Sequence, residues 1–311
     1  SKIVNQASDS LVTVTSKKEG VNWYDSPYQI ETRDSGLVIK KGIKKIMILV
    51  SLEHVQDADS IEVGFPNSYI TEGSLANYDE ERNLAIVSVP VDNIPQYILD
   101  RIVEANMNAS FEVDNGTPIL AVGSPNGVPN SMDYGIVTNC SQEISTCDMN
   151  LEIAYSNMRF GKNASGFILN VGGEVIGMIY KDTSIGNDNY GTYVQLSSIE
   201  NLVEKLVNKD ERTYLGVIAE NMTARELEDA GITSGIYIKE VLTDSPAYDA
   251  GIQSGDIILS INEIGISNVN GLVDILEHSE PKNENVIVIK RFLADEPKEL
   301  EYTVSFGKKT H

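Results

Sequence analysis

From residue 10 to about 195 the chain is a succession of short apolar runs, each closed by turn residues, with almost no helical period between them. "LVTVT", "GLVIKK", "KKIMILVSL", "SIEVGF", "NLAIVSV", "PILAVGS", "GIVTNC", "GFILNV", "EVIGMIY" and "YGTYVQL" are all of strand length. Regularly spaced strands of this kind predict an antiparallel sandwich or barrel, and the fold class is expected to be mainly β. Only "DNIPQYILDRIVEANM" leaves room among them for a short helix or irregular turn.

The pattern changes near residue 197. In "SSIENLVEKLVNKD", Ile199, Leu202, Val203, Leu206 and Val207 recur at helical spacing, and Ser197 with Glu200 reads as a capping box. The charged "NKDER" that follows marks a boundary, giving a first domain over 1–209 and a second over 213–308. The second mixes strands with short helices: "TARELEDAG" pairs Thr223 with Glu226 and stops at Gly231, while "SPAYDAG" has Ser245, Pro246 and Gly251 as cap, first residue and stop. "NGLVDILEH" is a third helix, and "NVIVIKRF" and "LEYTVSF" are closing strands, which makes a small α+β module.

A formal net charge of −22 over 311 residues would repel phosphate backbones and anionic lipid, so neither nucleic acid nor a membrane surface is an expected partner. No run reaches the roughly 18 apolar residues of a membrane span. The chain opens on Ser1 without an N-terminal signal pattern, so an export signal or anchor would lie upstream of residue 1. Cys140 and Cys147 flank polar turn-formers in "VTNCSQEISTCDMN", a hairpin that could pair them. A disulfide would fit an exported protein, and two free thiols are the alternative. His54, His278 and His311 lack ligand spacing, so no metal or other cofactor is expected.

Several motifs stand in an informative order. "LVSLEHVQDADSIEV" carries His54; "RNLAIVSVPV" carries Asn83; "DNGTPILAVGSPNG" and "GIVT" follow; and "RFGKNASGFILNVGGEVIGMIY" closes the series. Together with the second-domain motifs "YLGV" and "DSPAYDAGIQSGDIILSIN", they resemble the HtrA/Deg serine proteases over nearly the whole chain. The resemblance implies a chymotrypsin-like double six-stranded β-barrel followed by a PDZ domain. It puts His54 at the catalytic histidine, Asn83 at the aspartate position and Ala164 at the nucleophile position of the family's "GNSGGPLVN" run. Lys162 falls on the glycine of the oxyanion loop.

These departures have physical consequences. Ala164 has no hydroxyl, so no acyl-enzyme can form there. An Asn beside the histidine favours the wrong tautomer, a change worth on the order of 10⁴ in turnover in a well-studied protease. Lys162 replaces a residue that frees the backbone to turn its N–H toward an oxyanion. Ser165 is the alternative nucleophile, displaced by one position, and Asp79 the alternative carboxylate. A deliberate Ser→Ala replacement would account for Ala164 but for neither Asn83 nor Lys162.

In the PDZ resemblance, Tyr214, Leu215, Gly216 and Val217 form the loop that turns amides toward a peptide's C-terminal carboxylate. Val217 and Ile218, facing Leu272 and Ile275, would line the pocket for its apolar side chain. The implied partners are polypeptides or their C-termini, with a homotrimer possible through the aromatic "VNWYDSPYQI", where Trp23 and Tyr24 stand. Two functions follow: a pseudoprotease that binds peptide or unfolded protein, or an exported quality-control endopeptidase whose nucleophile has been replaced. The expected compartment is the cell envelope or beyond.

Overall fold

In the computed structural model, the first six strands close a barrel: β1 (Leu11–Val21), β2 (Pro27–Lys41), β3 (Lys45–Ser51), β4 (Ser60–Phe65), β5 (Tyr69–Asp79) and β6 (Leu84–Pro90). The structure describes residues 9–21, 27–161, 163–180, 190–292 and 296–309. The two most continuous apolar runs, β3 and β6, lie side by side from Lys45↔Pro90 to Ser51↔Leu84. Both are buried almost throughout, as strands covered on two faces must be. Val14, Val38, Ile48, Val63 and Val87 fill the interior.

A second barrel follows in the order β10-β11-β12-β9-β8-β7. Its strands are β7 (Pro118–Ser124), β8 (Ser131–Thr146), β9 (Met149–Ser156), β10 (Ser165–Asn170), β11 (Val175–Ile179) and β12 (Gly191–Gln195). Ile119, Ala121, Ala154, Ile168 and Tyr193 form its core. Between the barrels the short helix is a single turn, α1 (Gln96–Leu99), which buries Ile98 and Leu99.

Helix α2 (Glu200–Asn208) buries Leu202, Val203 and Leu206, but the expected capping box does not form. A 3₁₀ turn over Leu196–Ser198 precedes it and leaves Ile199 at the cap. Ser197 therefore lies outside the helix, and its hydroxyl donates to Glu152 at 2.7 Å.

The chain divides into two compact units, the second made of Glu143–Leu151 together with Asp210–Thr310. The tip of the β8–β9 hairpin thus belongs to the second unit. That unit holds a sheet in the order β14-β15-β16-β18-β19, with β17 on β16 and a separate β13–β20 pair. The strands are β13 (Arg212–Tyr214), β14 (Val217–Asn221), β15 (Ile236–Val241), β16 (Ile257–Ile261), β17 (Ile264–Gly265), β18 (Glu284–Phe292), β19 (Pro297–Ser305) and β20 (Gly307–Lys309). Its helices are α3 (Ala224–Asp229), α4 (Pro246–Ala250) and α5 (Val269–His278). Thr223 and Glu226 cap each other reciprocally, and Ser245 accepts from the Tyr248 amide. Asn268 caps α5, which starts one residue before "NGLVDILEH".

Asn262 and Glu263 make the two-residue turn between β16 and β17, with φ of 50° and 66°. Both central residues of such a turn are left-handed, a conformation that suits Asn and Gly and strains Glu. Replacing Glu263 by Gly should stabilise the protein by about 0.5–1 kcal/mol, measured as a higher midpoint of thermal unfolding. An unchanged or lower midpoint would contradict this reading of the turn.

Candidate functional site

His54 ends a 3₁₀ turn, Leu52–His54, that caps the buried strand β3. Its ring is mostly buried, and Nδ1 lies 2.9 Å from Oδ2 of Asp34, a residue of β2 that sequence reading did not single out. The Asp34 side chain is only 1% exposed and also accepts the backbone N–H groups of Ser35 at 2.6 Å and Ser51 at 3.3 Å. Amides that hold a carboxylate in place fix its direction, and this one is aimed at the imidazole. Nε2 of His54 lies 3.8 Å from Glu53. The signal in the sequence is small: an Asp in "RDSGLVIK", at the mouth of an apolar run remote from the histidine.

Asn83, expected at the carboxylate position, sits in the turn next to His54 and does different work. Its φ is 56°, a left-handed conformation that Asn tolerates better than most residues. Oδ1 accepts from the Glu53 amide at 2.7 Å, and its carbonyl accepts from the Leu52 amide at 3.1 Å. Asn83 thus ties down the turn that presents His54. Asp79, the alternative carboxylate, is buried against Arg82, whose Nη1 is 3.1 Å away.

Ala164 is buried at the entrance to β10, with its amide bonded to the Gly161 carbonyl at 3.0 Å. Ser165 is the first residue of β10 and pairs with Ser124 of β7; its buried hydroxyl finds no hydrogen-bond partner among the described residues. Gly166 has φ 129°, and a Cβ there would lie 2.1 Å from the Val122 carbonyl oxygen, so the strand entrance can hold only glycine. Lys162 lies outside the described residues, as do Trp23 and Tyr24.

β2 and β10 meet across Gly123. A Cβ at Gly123 would lie 2.8 Å from the Ser35 Cβ and 3.0 Å from the Gly166 Cα. The stretch beside Asp34 and the stretch beside Ala164 are therefore packed through one glycine. A cleft of about 760 Å³ opens alongside, lined by Thr13, Arg33, Ser35, Gly123 and Met132 among others.

In the second unit, the "YLGV" residues turn their amides to a common point. Gly216 has φ 90°, and a Cβ there would meet Ser245 at 2.2 Å, so this turn too requires glycine. The N–H groups of Leu215, Gly216 and Val217 all donate to the carboxylate of Asp148, at 2.8–3.0 Å. Burial pushes the Asp148 carboxyl up, against the downward pull of the Val217, Gly216 and Leu215 amides. Val217 and Leu272 are fully buried, while Ile218 and Ile275 are half-buried.

Of the two alternatives the sequence left open for Cys140 and Cys147, a disulfide or two thiols, the structure has the thiols, with no bond between them. The Cys140 thiol donates to Asn115 at 3.6 Å, and the Cys147 backbone pairs with Ile218, so each has its own partner. Among the described residues, no group of three or more His, Cys, Asp or Glu side chains is placed to hold a metal ion. None of their helices is long and apolar enough to cross a membrane.

Residues 237–291 match the PDZ domain family. HhoB of Synechocystis sp. is 27% identical over 262 residues, covering 78% of this chain and 60% of that protein. Serine endoprotease DegS of Haemophilus influenzae is 25% identical over 277 residues, covering 85% of this chain and 74% of that protein. A solved structure of the HtrA-type protease AlgW with a decapeptide superposes with a TM-score of 0.70 over 99% of this chain and 98% of that one, at 19% identity, a likeness of fold. With its two closed six-stranded barrels, its PDZ match and these relatives, the chain is a homologue of the HtrA-type serine proteases with a C-terminal PDZ domain.

Proposed function

We propose that this chain is an HtrA-type pseudoprotease, a module that holds peptide or unfolded polypeptide without cutting it. The observation that carries this is Ala164: at the position where an acyl-enzyme would form, the buried side chain is a methyl group. The next hydroxyl, on Ser165, belongs to the first ladder residue of β10. A shift of one residue along an extended chain turns a side chain to the opposite face, and on this reading the Ser165 hydroxyl is aimed away from the histidine. The cleft beside Ser35 and Gly123 offers room for an extended segment, and the amides of Leu215, Gly216 and Val217 offer donors for a terminal carboxylate.

The second reading, a serine endopeptidase whose nucleophile has been replaced by Ala164, is favoured by the Asp34–His54 pair. An imidazole backed by a buried carboxylate is what a hydroxyl nucleophile requires. On that reading the site is one oxygen short, and Asn83 is a brace rather than a lesion. In either case the setting is proposed to be extracytoplasmic. Assembly as a homotrimer belongs to the same reading and rests on the resemblance alone.

Labelled, unfolded casein tests the proposal. Its fluorescence anisotropy should rise on adding the native chain and stay raised over hours of incubation. A rise followed by a fall, as small labelled fragments are released, would contradict it.

A further inference from the structure

We infer that the PDZ groove is occupied by the chain itself, with Asp148 as a resident stand-in for a peptide C-terminus. The inference rests on the peptide-reading role proposed above and adds what competes for that site.

Three observations in the second unit converge. The first is the carboxylate: Asp148 takes up the amides of Leu215, Gly216 and Val217 with both oxygens and is 8% exposed. The second is the backbone. The Asp148 N–H donates to the Val217 carbonyl at 2.7 Å, and Cys147 forms an antiparallel bridge with Ile218. A segment running antiparallel to β14 with its last carboxylate on the loop amides is how a C-terminal peptide adds to a sheet edge. Glu143 continues the contact, accepting from Asn221 at the far end of β14 at 2.9 Å and from Asn150 at 2.8 Å.

The third is the turn. Asp148 has φ 62°, the left-handed region, and Thr146 closes the bend by donating to the Met149 carbonyl at 2.9 Å. A free peptide ends at the carboxylate loop. This chain has to continue, and the left-handed Asp lets the main chain turn away while the side chain supplies the carboxylate. Asp is among the few non-glycine residues that adopt this conformation readily.

The same geometry says what can displace it. Exchange of Asp148 for a terminal carboxylate conserves charge and amide bonds, so neither decides the outcome. A peptide that ends in an apolar residue offers a carboxylate on its main chain and a side chain besides. Asp148 spends its side chain on the amides and has no apolar group to add. The competing ligand is therefore a polypeptide with a free C-terminus on an apolar residue. Its apparent affinity is lowered by the fraction of molecules in which Asp148 is seated.

The test uses the full chain as native protein, Asp148→Ala and Asp148→Asn. Two quantities are read: hydrogen exchange at the amides of Leu215, Gly216 and Val217, and binding of a labelled Gly/Ser decapeptide ending in valine carboxylate, with the valine amide as control. In Asp148→Ala the three amides should exchange at least about tenfold faster, with β15 and β18 unchanged as proof of folding. The carboxylate peptide should bind at least about tenfold tighter than to the native chain, and the amide peptide should gain nothing. Asp148→Asn, which keeps the turn and one acceptor oxygen, should fall between. Unchanged exchange at the three amides in both variants, or equal peptide affinity across all three proteins, would overturn the inference. Faster exchange with no peptide bound by any protein would leave Asp148 as the resident ligand and overturn the peptide-reading role instead.

Discussion

Replacing Ala164 by Ser should make the chain cleave unfolded casein at least about 10³-fold faster than the native protein does. The magnitude follows from what a nucleophile is worth in a complete triad, on the order of 10⁶ in turnover, reduced for imperfect alignment of the restored hydroxyl. The gain should vanish with His54→Ala, because the hydroxyl then has no base. The informative partner is Asp34. In the Ala164→Ser background, Asp34→Asn should remove about 10²–10⁴ of the new activity, by loss of the tautomer and of the charge behind the imidazole. Asn83→Asp in that background should add little, since Asp34 already lies 2.9 Å from Nδ1 and Asn83 Oδ1 is engaged with the Glu53 amide. If restoration needed Asn83→Asp and ignored Asp34, the assignment of the histidine's partner made here would be wrong.

The largest stability loss should come from Asp79. Its carboxylate is fully buried and meets the Arg82 guanidinium at 3.1 Å and the Arg82 amide at 2.9 Å. Removing one member of a buried pair strands the other charge in a medium that solvates it poorly; Arg82 keeps a longer contact to Glu81, at 3.5 Å, and the cost should be about 3–5 kcal/mol. Asp79→Ala should therefore lower stability to denaturant by that amount. Replacing both residues by apolar ones of similar volume should recover much of the loss, since desolvation of both charges is then avoided. The same turn runs into Asn83, so the single substitution should also lower activity in the Ala164→Ser background by loosening the Leu52–His54 turn. A loss below about 1 kcal/mol would place Asp79 among solvent-screened surface pairs and contradict its role as a buried anchor.

Much of this architecture was legible because burial imposes patterns on sequence. β3 and β6 are covered on both faces and read as unbroken apolar runs, so the barrels could be expected from "KKIMILVSL" and "NLAIVSV". The caps at Thr223 and Ser245 were equally plain, since their geometry is local to three or four residues. Ser197 misled because a capping signal does not say whether a 3₁₀ turn will intervene before the helix begins.

The site was harder for a related reason. His54 and Ala164 stand in local motifs, but the partner of His54 comes from another strand. Asp34 acquires its meaning only when β2 and β3 pair and bring Ser51 and Asp34 together. No spacing rule links residue 34 to residue 54. Asp148 is the same case in the second unit. Nothing in "STCDMN" distinguishes a hairpin-turn Asp from one aimed at three amides far along the chain. In both places the sequence held the residue, and the pairing of distant segments gave it a role.

The central claim is that the native chain has no working nucleophile, and active-site titration with a fluorophosphonate, read by intact mass, tests it most directly. The account predicts no adduct on the native protein and a single, His54-dependent adduct on the Ala164→Ser variant. A single His54-dependent adduct on the native chain, mapped to Ser165, would contradict it.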